Sequence, residues 1–247
     1  MTEEKKKLSP ALENLESAIA TWWKHLKKFV LIYVWGLLFG LVPLAAAALI
    51  MGLNLWLGGG DNGSASAIVA VIVFIAALIA AYYFIRGYIG AFLLLKKNYE
   101  GEEMAIFKET AAYFWPYLGL VLLTALFVLL WTLLLIIPGI IYGVFYSFAV
   151  FAFFFEDKRG LAAIRRSASL VTGYFWPVFG RLVLVGVIAW VFMMIVSLPL
   201  YYTDVYSPFY QGWNVVVQLV SFLIGPIILI YDYQIYRDLV KIKGQQA

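Results

Sequence analysis

Few side chains in this sequence could do chemistry, and their spacing keeps them apart. His25 is the single histidine in 247 residues, and it lies beside Trp22, Trp23, Lys24 and Lys27. A metal site there would need several carboxylates to converge on one imidazole, so His25 reads as an interfacial side chain and no metal is expected. Glu102-Glu103 and Glu156-Asp157 are paired acids, but neighbours on a helix point about 100° apart. Both pairs border basic segments and read as solvated charges or helix-start acids. Ser167 and Ser169 have no histidine base nearby in sequence, and no glycine-rich loop has phosphate-binding form. Cysteine is absent, which removes thiolate, disulfide and cysteine-metal chemistry. The sequence thus predicts a non-enzymatic chain, with no catalytic residue and no cofactor.

The remaining polar residues take their meaning from the elements that carry them. Of the residues, 64% are hydrophobic and 13% charged, about half the ~25% charge of a soluble domain. The net charge of +4 is too mild to point to a nucleic-acid partner. Charges fall in islands between apolar blocks too long for core helices. Residues 29–57 carry no charge, well beyond the ~20 residues that cross ~30 Å of hydrocarbon. Lys27-Lys28, this run and Ala45 to Ala48 imitate a signal peptide, but the run continues past the alanines and reads as a first span. The linker from Gly58 to Ser64 is turn-rich. Residues 67–95 make a second span, interrupted by Arg86 alone.

Residues 117–155 are uncharged, and one helix of that length would reach about 58 Å. Pro138-Gly139 is a turn signal and divides the block into spans 117–137 and 139–155. Residues 182–231 hold one charge, Asp204, in a tyrosine-rich segment that suits a membrane interface. Spans 182–200 and 213–231 flank it. The expectation is an all-α integral membrane protein, a single polytopic domain of about six transmembrane helices.

Basic residues set the orientation. Lys24, Lys27 and Lys28 precede span one; Lys96, Lys97 and Lys108 follow span two; Lys158, Arg159, Arg165 and Arg166 follow span four; Arg237, Lys241 and Lys243 follow span six. The opposite connections carry only Asp61 and Asp204. By the positive-inside rule both termini face the cytoplasm, in the cell membrane.

Tyr113-Phe114-Trp115-Pro116-Tyr117-Leu118-Gly119 recurs as Tyr174-Phe175-Trp176-Pro177-Val178-Phe179-Gly180. Each copy follows a short charged segment with Ala-Ile (Ala105-Ile106, Ala163-Ile164), and Ala18-Ile19 with Trp22-Trp23 is a fainter third. The pattern predicts internal repeats and amphipathic interfacial helices over about 11–27, 102–114 and 160–173. In the last, Leu161, Ile164, Ala168 and Val171 form an apolar stripe opposite Arg165, Arg166 and Ser169. Either the stripe lies in the acyl boundary, with Arg165 and Arg166 on lipid headgroups and Lys158 and Arg159 raising the local potential, or it packs on neighbouring spans. Arg86 is an intramembrane charge and a functional candidate by default. Asp232, just past span six, is its expected partner, and snorkelling to the interface is the alternative. Asn214, Gln218 and Ser221 share one face and suit helix–helix hydrogen bonding.

The run Ile137-Pro138-Gly139-Ile140-Ile141-Tyr142 through Glu156-Asp157, followed by Ala163, Ser167, Leu170, Gly173, Trp176 and Gly180, resembles the YciC-like membrane proteins. It is also similar to the membrane domain fused to some bacterial glycerophosphodiester phosphodiesterases. The resemblance implies a helical membrane module, which in the fused proteins stands beside a soluble barrel that performs the hydrolysis. No stretch here reads as that barrel, so no catalytic residue is carried over. The function expected is a module that organises or stabilises membrane lipids, anionic ones among them, or partner proteins at the cytoplasmic face; the alternative is a small transporter or channel.

Overall fold

The protein is seen in a computed structural model that describes residues 8–56 and 63–244. The end of the first expected span at Leu57, the linker over 58–62 and Asp61 lie outside the described residues. Every regular element described is a helix: α1 Ala11–Trp56, α2 Gly63–Lys96, α3 Glu103–Leu134, α4 Ile136–Tyr146, α5 Ala149–Glu156, α6 Leu161–Val171, α7 Phe175–Tyr201 and α8 Pro208–Gly244. Six helical stretches are long and apolar enough to cross a membrane, with α4 and α5 together forming the fourth.

These stretches wear their apolar side chains outward. Leu133 is 74% exposed, and Trp190, in the middle of α7, is 65% exposed. Soluble proteins rarely show large contiguous apolar patches to water. Here they run the length of helices, as expected where hydrocarbon is the solvent. The architecture is that of a multi-pass membrane protein.

The break inside the third apolar block falls before the expected Pro138-Gly139. Helix α3 ends at Leu134, and only Leu135, with extended backbone, separates it from α4. Proline's ring clashes with the carbonyl four residues earlier in a continuous helix, and four residues before Pro138 is Leu134. The proline then sits in the first turn of α4, where a missing N–H costs nothing.

Two of the three expected interfacial helices are not separate elements: 11–27 opens α1, and 102–114 opens α3. The third is the discrete helix α6. The residues before each Trp-Pro motif explain the difference. Ala111-Ala112 lets α3 run on through Pro116, whereas Gly173 adopts a positive φ of 87° and breaks the chain between α6 and α7.

The described chain divides into two compact units, Leu26–Trp115 and, on either side of it in sequence, the other described residues. In the unit Leu26–Trp115, α1 and α2 cross at glycines. A Cβ on Gly36 would lie 3.0 Å from the Tyr83 carbonyl, one on Gly40 3.2 Å from that of Ala80, and one on Gly90 2.5 Å from Ile32 Cγ2. Small residues four apart let two membrane helices approach backbone to backbone. After α2 the chain turns through Asn98 and Tyr99, both left-handed at φ 50° and 63°, a conformation non-glycine residues adopt at a cost. Lys28 Nζ donates to the Tyr99 carbonyl at 2.6 Å and holds this turn.

In the other unit, α6 packs on α4, α5 and α8. The helix break between α4 and α5 leaves backbone groups without helical partners, and Ser167 from α6 supplies them. Its hydroxyl donates to the Phe145 carbonyl at 2.6 Å and accepts from the Phe148 N–H at 3.0 Å.

If the glycine crossing holds the first unit together, Gly36→Leu or Gly40→Leu should lower thermal stability in detergent by about 1–3 kcal/mol, as overpacking does. Gly52→Leu, where nothing lies within 4 Å, should leave it unchanged, and equal losses at all three positions would contradict the crossing.

Candidate functional site

Arg86 projects from α2 and is 8% exposed. Its Nε donates to Thr110 Oγ1 at 2.9 Å and its Nη2 to the Phe107 carbonyl at 2.8 Å. The guanidinium carbon lies 4.6 Å from the Phe107 ring centroid, 5.4 Å from Tyr82 and 5.5 Å from Tyr83. Phe39 stacks on Phe107 and Tyr83 and closes the aromatic box. A buried charge is tolerated when paired and hydrogen-bonded, and here carbonyl and hydroxyl acceptors along its edge combine with ring quadrupoles on its faces. The arrangement ties α2 to the first turns of α3. Asp232, the partner expected from the sequence, belongs to the other unit, where its Oδ1 is buried without a hydrogen-bond partner.

The four basic residues expected at headgroups divide in two. Lys158, Arg159 and Arg165 are exposed. Arg166 is half-buried, its Nε donating to both Glu156 oxygens at 3.0 and 2.7 Å. Tyr236 of α8 donates to Glu156 Oε1 at 2.9 Å, so one carboxylate gathers α5, α6 and α8. Glu156 is thus a structural acceptor. The expected stripe on α6 is rotated: Ala163, Ile164, Ser167, Leu170 and Val171 are its buried residues, while Leu161 is exposed. Ile164 and Val171, the two stripe members that are buried, pack within the protein.

Arg181 escaped the sequence reading. It donates from Nη2 to the Ser9 carbonyl at 2.7 Å and to that of Leu8 at 3.2 Å, fastening the chain before α1 to α7. Gln234 Nε2 on α8 donates to Ser17 Oγ of α1 at 3.1 Å. The signal was present in Arg181, a lone charge one turn after a Trp-Pro motif at the rim of an apolar block. Asn214 and Gln218 bond to each other along α8, and Ser221 bonds back to the Val217 carbonyl. Between the start of α1, α7 and α8 lies a groove of about 380 Å³ lined by apolar side chains, among them Ile19, Trp22, Val185, Phe192 and Ile228. Among the described residues, no three His, Asp or Glu side chains are grouped as a metal would require.

Arg86 lends itself to a mutant cycle. Hydrogen bonds to a charged group contribute about 1.5–3 kcal/mol each, so Arg86→Ala should destabilise the detergent-solubilised protein by at least that much. Arg86→Lys, which lacks the planar fork, should recover little. Thr110→Val should couple to Arg86→Ala in a double-mutant cycle. Coupling to Asp232→Ala, with additivity at Thr110, would restore the ion pair in place of the aromatic box.

No family model, curated protein or solved structure matches the chain, and a functional reading therefore rests on its own geometry.

Proposed function

We propose that the chain is a non-enzymatic multi-span module of the cell membrane, related to the YciC-like proteins it resembles. Both ends lie in the cytoplasm, and the module organises or stabilises anionic lipid or partner proteins at that face. The observation that carries this reading is the turn between α5 and α6 together with the first turns of α6. There Lys158, Arg159 and Arg165 point outward, while Arg166 is held by Glu156 and fixes the helix that presents them.

Each basic residue near an anionic surface contributes about 1 kcal/mol, and arginine's fork can hold two phosphate oxygens. In this reading Arg165, Lys158 and Arg159 contact headgroups, and Arg166 positions them. The concentration of basic residues on one set of connections supports the orientation. The apolar lining of the groove beside α7 and α8 suits an acyl chain better than a hydrated solute. That weighs for a lipid-contacting module over a small transporter or channel.

Replacing Lys158, Arg159 and Arg165 together by glutamine should reduce co-purified phosphatidylglycerol seen by native mass spectrometry. The difference should shrink at high ionic strength, and thermal stability without lipid should be unchanged. Arg166→Gln should instead lower stability, because Glu156 loses its cation. Undiminished lipid retention by the triple variant would remove the headgroup role.

A further inference from the structure

Among the described residues, two helix–helix turns lie away from the charged ends, and they differ in chemistry. Between α7 and α8 the turn contains Tyr201, Tyr202, Asp204, Tyr206 and Ser207. Its backbone is satisfied by local polar side chains: Asp204 Oδ1 accepts the Tyr206 N–H at 3.0 Å, and Ser207 Oγ accepts that of Tyr210 at 3.1 Å. Between α3 and α4, residues 133–137 are Leu-Leu-Leu-Ile-Ile, and each is between 65% and 74% exposed. Within these five residues there is no polar or aromatic side chain of the kind that sits at an interface.

The two turns also differ in reach. The hydrogen bond from Tyr236 to Glu156 sets a common level on α8 and α5. From that level α5 and α4 climb about 30 Å to Ile136, whereas α8 extends about 42 Å to Pro208, at 1.5 Å per residue. The bend at Ser147 and Phe148 shortens the first path further. Counting from the Trp-Pro motifs gives a similar gap, about 27 Å from Pro116 to Leu134 against about 36 Å from Pro177 to Tyr201. The α3–α4 turn stops roughly 10 Å short of the tyrosine-rich turn by this helical rise.

Its backbone departs from helix at a single residue, which is bonded on both sides. Only Leu135 lies outside the two helices; its N–H donates to the Trp131 carbonyl at 3.1 Å, and its carbonyl accepts the Gly139 N–H at 3.2 Å. Pro138 has no N–H to satisfy. Thr132 returns its hydroxyl to the Val128 carbonyl at 2.8 Å. Gly139 lets the two legs close, since a Cβ there would collide with Thr132, and Trp131 stacks on Tyr142 at 4.0 Å between centroids. Irregular backbone in hydrocarbon is disfavoured by its unsatisfied groups, and this turn confines it to one residue.

We propose that the α3–α4 hairpin does not emerge on the far side of the membrane, and that its Leu-Leu-Leu-Ile-Ile tip ends inside the far leaflet, covered by acyl chains. This rests on the reading that the chain spans the membrane with the Ser207 turn in far-side water. The far-leaflet lipids fill the space above the tip, so the third and fourth spans act as a wedge.

The chain has no cysteine, which allows single nitroxide labels at Leu135→Cys and Ser207→Cys in phosphatidylcholine–phosphatidylglycerol vesicles. Oxygen, which partitions into hydrocarbon, should relax the label at 135 more than a water-soluble nickel chelate does, and the order should reverse at 207. Nickel access at 135 equal to that at 207 would put the tip in water and overturn the proposal. Shielding of 135 from both reagents would mean that protein covers it, and would overturn it equally. A label at 207 without nickel access would overturn the spanning topology itself, and with it the tip's placement, whatever is found at 135.

Discussion

Hydrocarbon offers no hydrogen-bond partners, so each helix break and each charge in an apolar block must be answered from within the chain. The polar side chains are deployed accordingly. Ser167 supplies both a donor and an acceptor where α4 gives way to α5. Arg86, one of the few charges within an apolar block, is answered by Thr110, a carbonyl and three rings. Lys28 secures a strained turn, and Glu156 is shared between Arg166 and Tyr236. Within each unit these contacts gather near the ends of the long helices, and the apolar lengths beyond them carry little that is polar.

This division leaves the outer parts of the helices with no aqueous core to pack around. Where helices approach there, they do so through small residues, as at Gly36 and Gly40, since lipid tails are as apolar as leucine and close packing supplies the attraction. The two Trp-Pro motifs illustrate how one sequence serves two roles. In α3 the proline is interior to a continuous helix; in α7 it occupies the first turn after a glycine break. The break frees α6 to pack across the α4–α5 junction, which is what places Ser167 and Arg166.

The spans were legible in the sequence because charge exclusion over about 20 residues is a strong signal, and the break near Pro138 was legible within three residues. Three kinds of feature were not. Helix continuity through Ala111-Ala112 is a local propensity that charge patterning does not register. The buried face of α6 does not follow apolarity alone: Leu161 is exposed, whereas Ser167, a polar residue, is wholly buried with two backbone bonds. Arg86's partners come from α3, and nothing in the spacing of Arg86, Phe107 and Thr110 announces a contact. Gly36 and Gly40 are readable from sequence, since a Gly-x-x-x-Gly pattern in an apolar run is a helix-packing motif.

That lipid, and not water or a partner protein, covers the exposed apolar faces is the claim on which the rest depends. The most direct measurement keeps Trp190, at 65% exposure on α7, as the single tryptophan, with the other eight of nine replaced by phenylalanine. In vesicles whose acyl chains are brominated near their middle, its fluorescence should be strongly quenched, while aqueous iodide should have almost no effect. Strong quenching by iodide with little by brominated lipid would contradict the account.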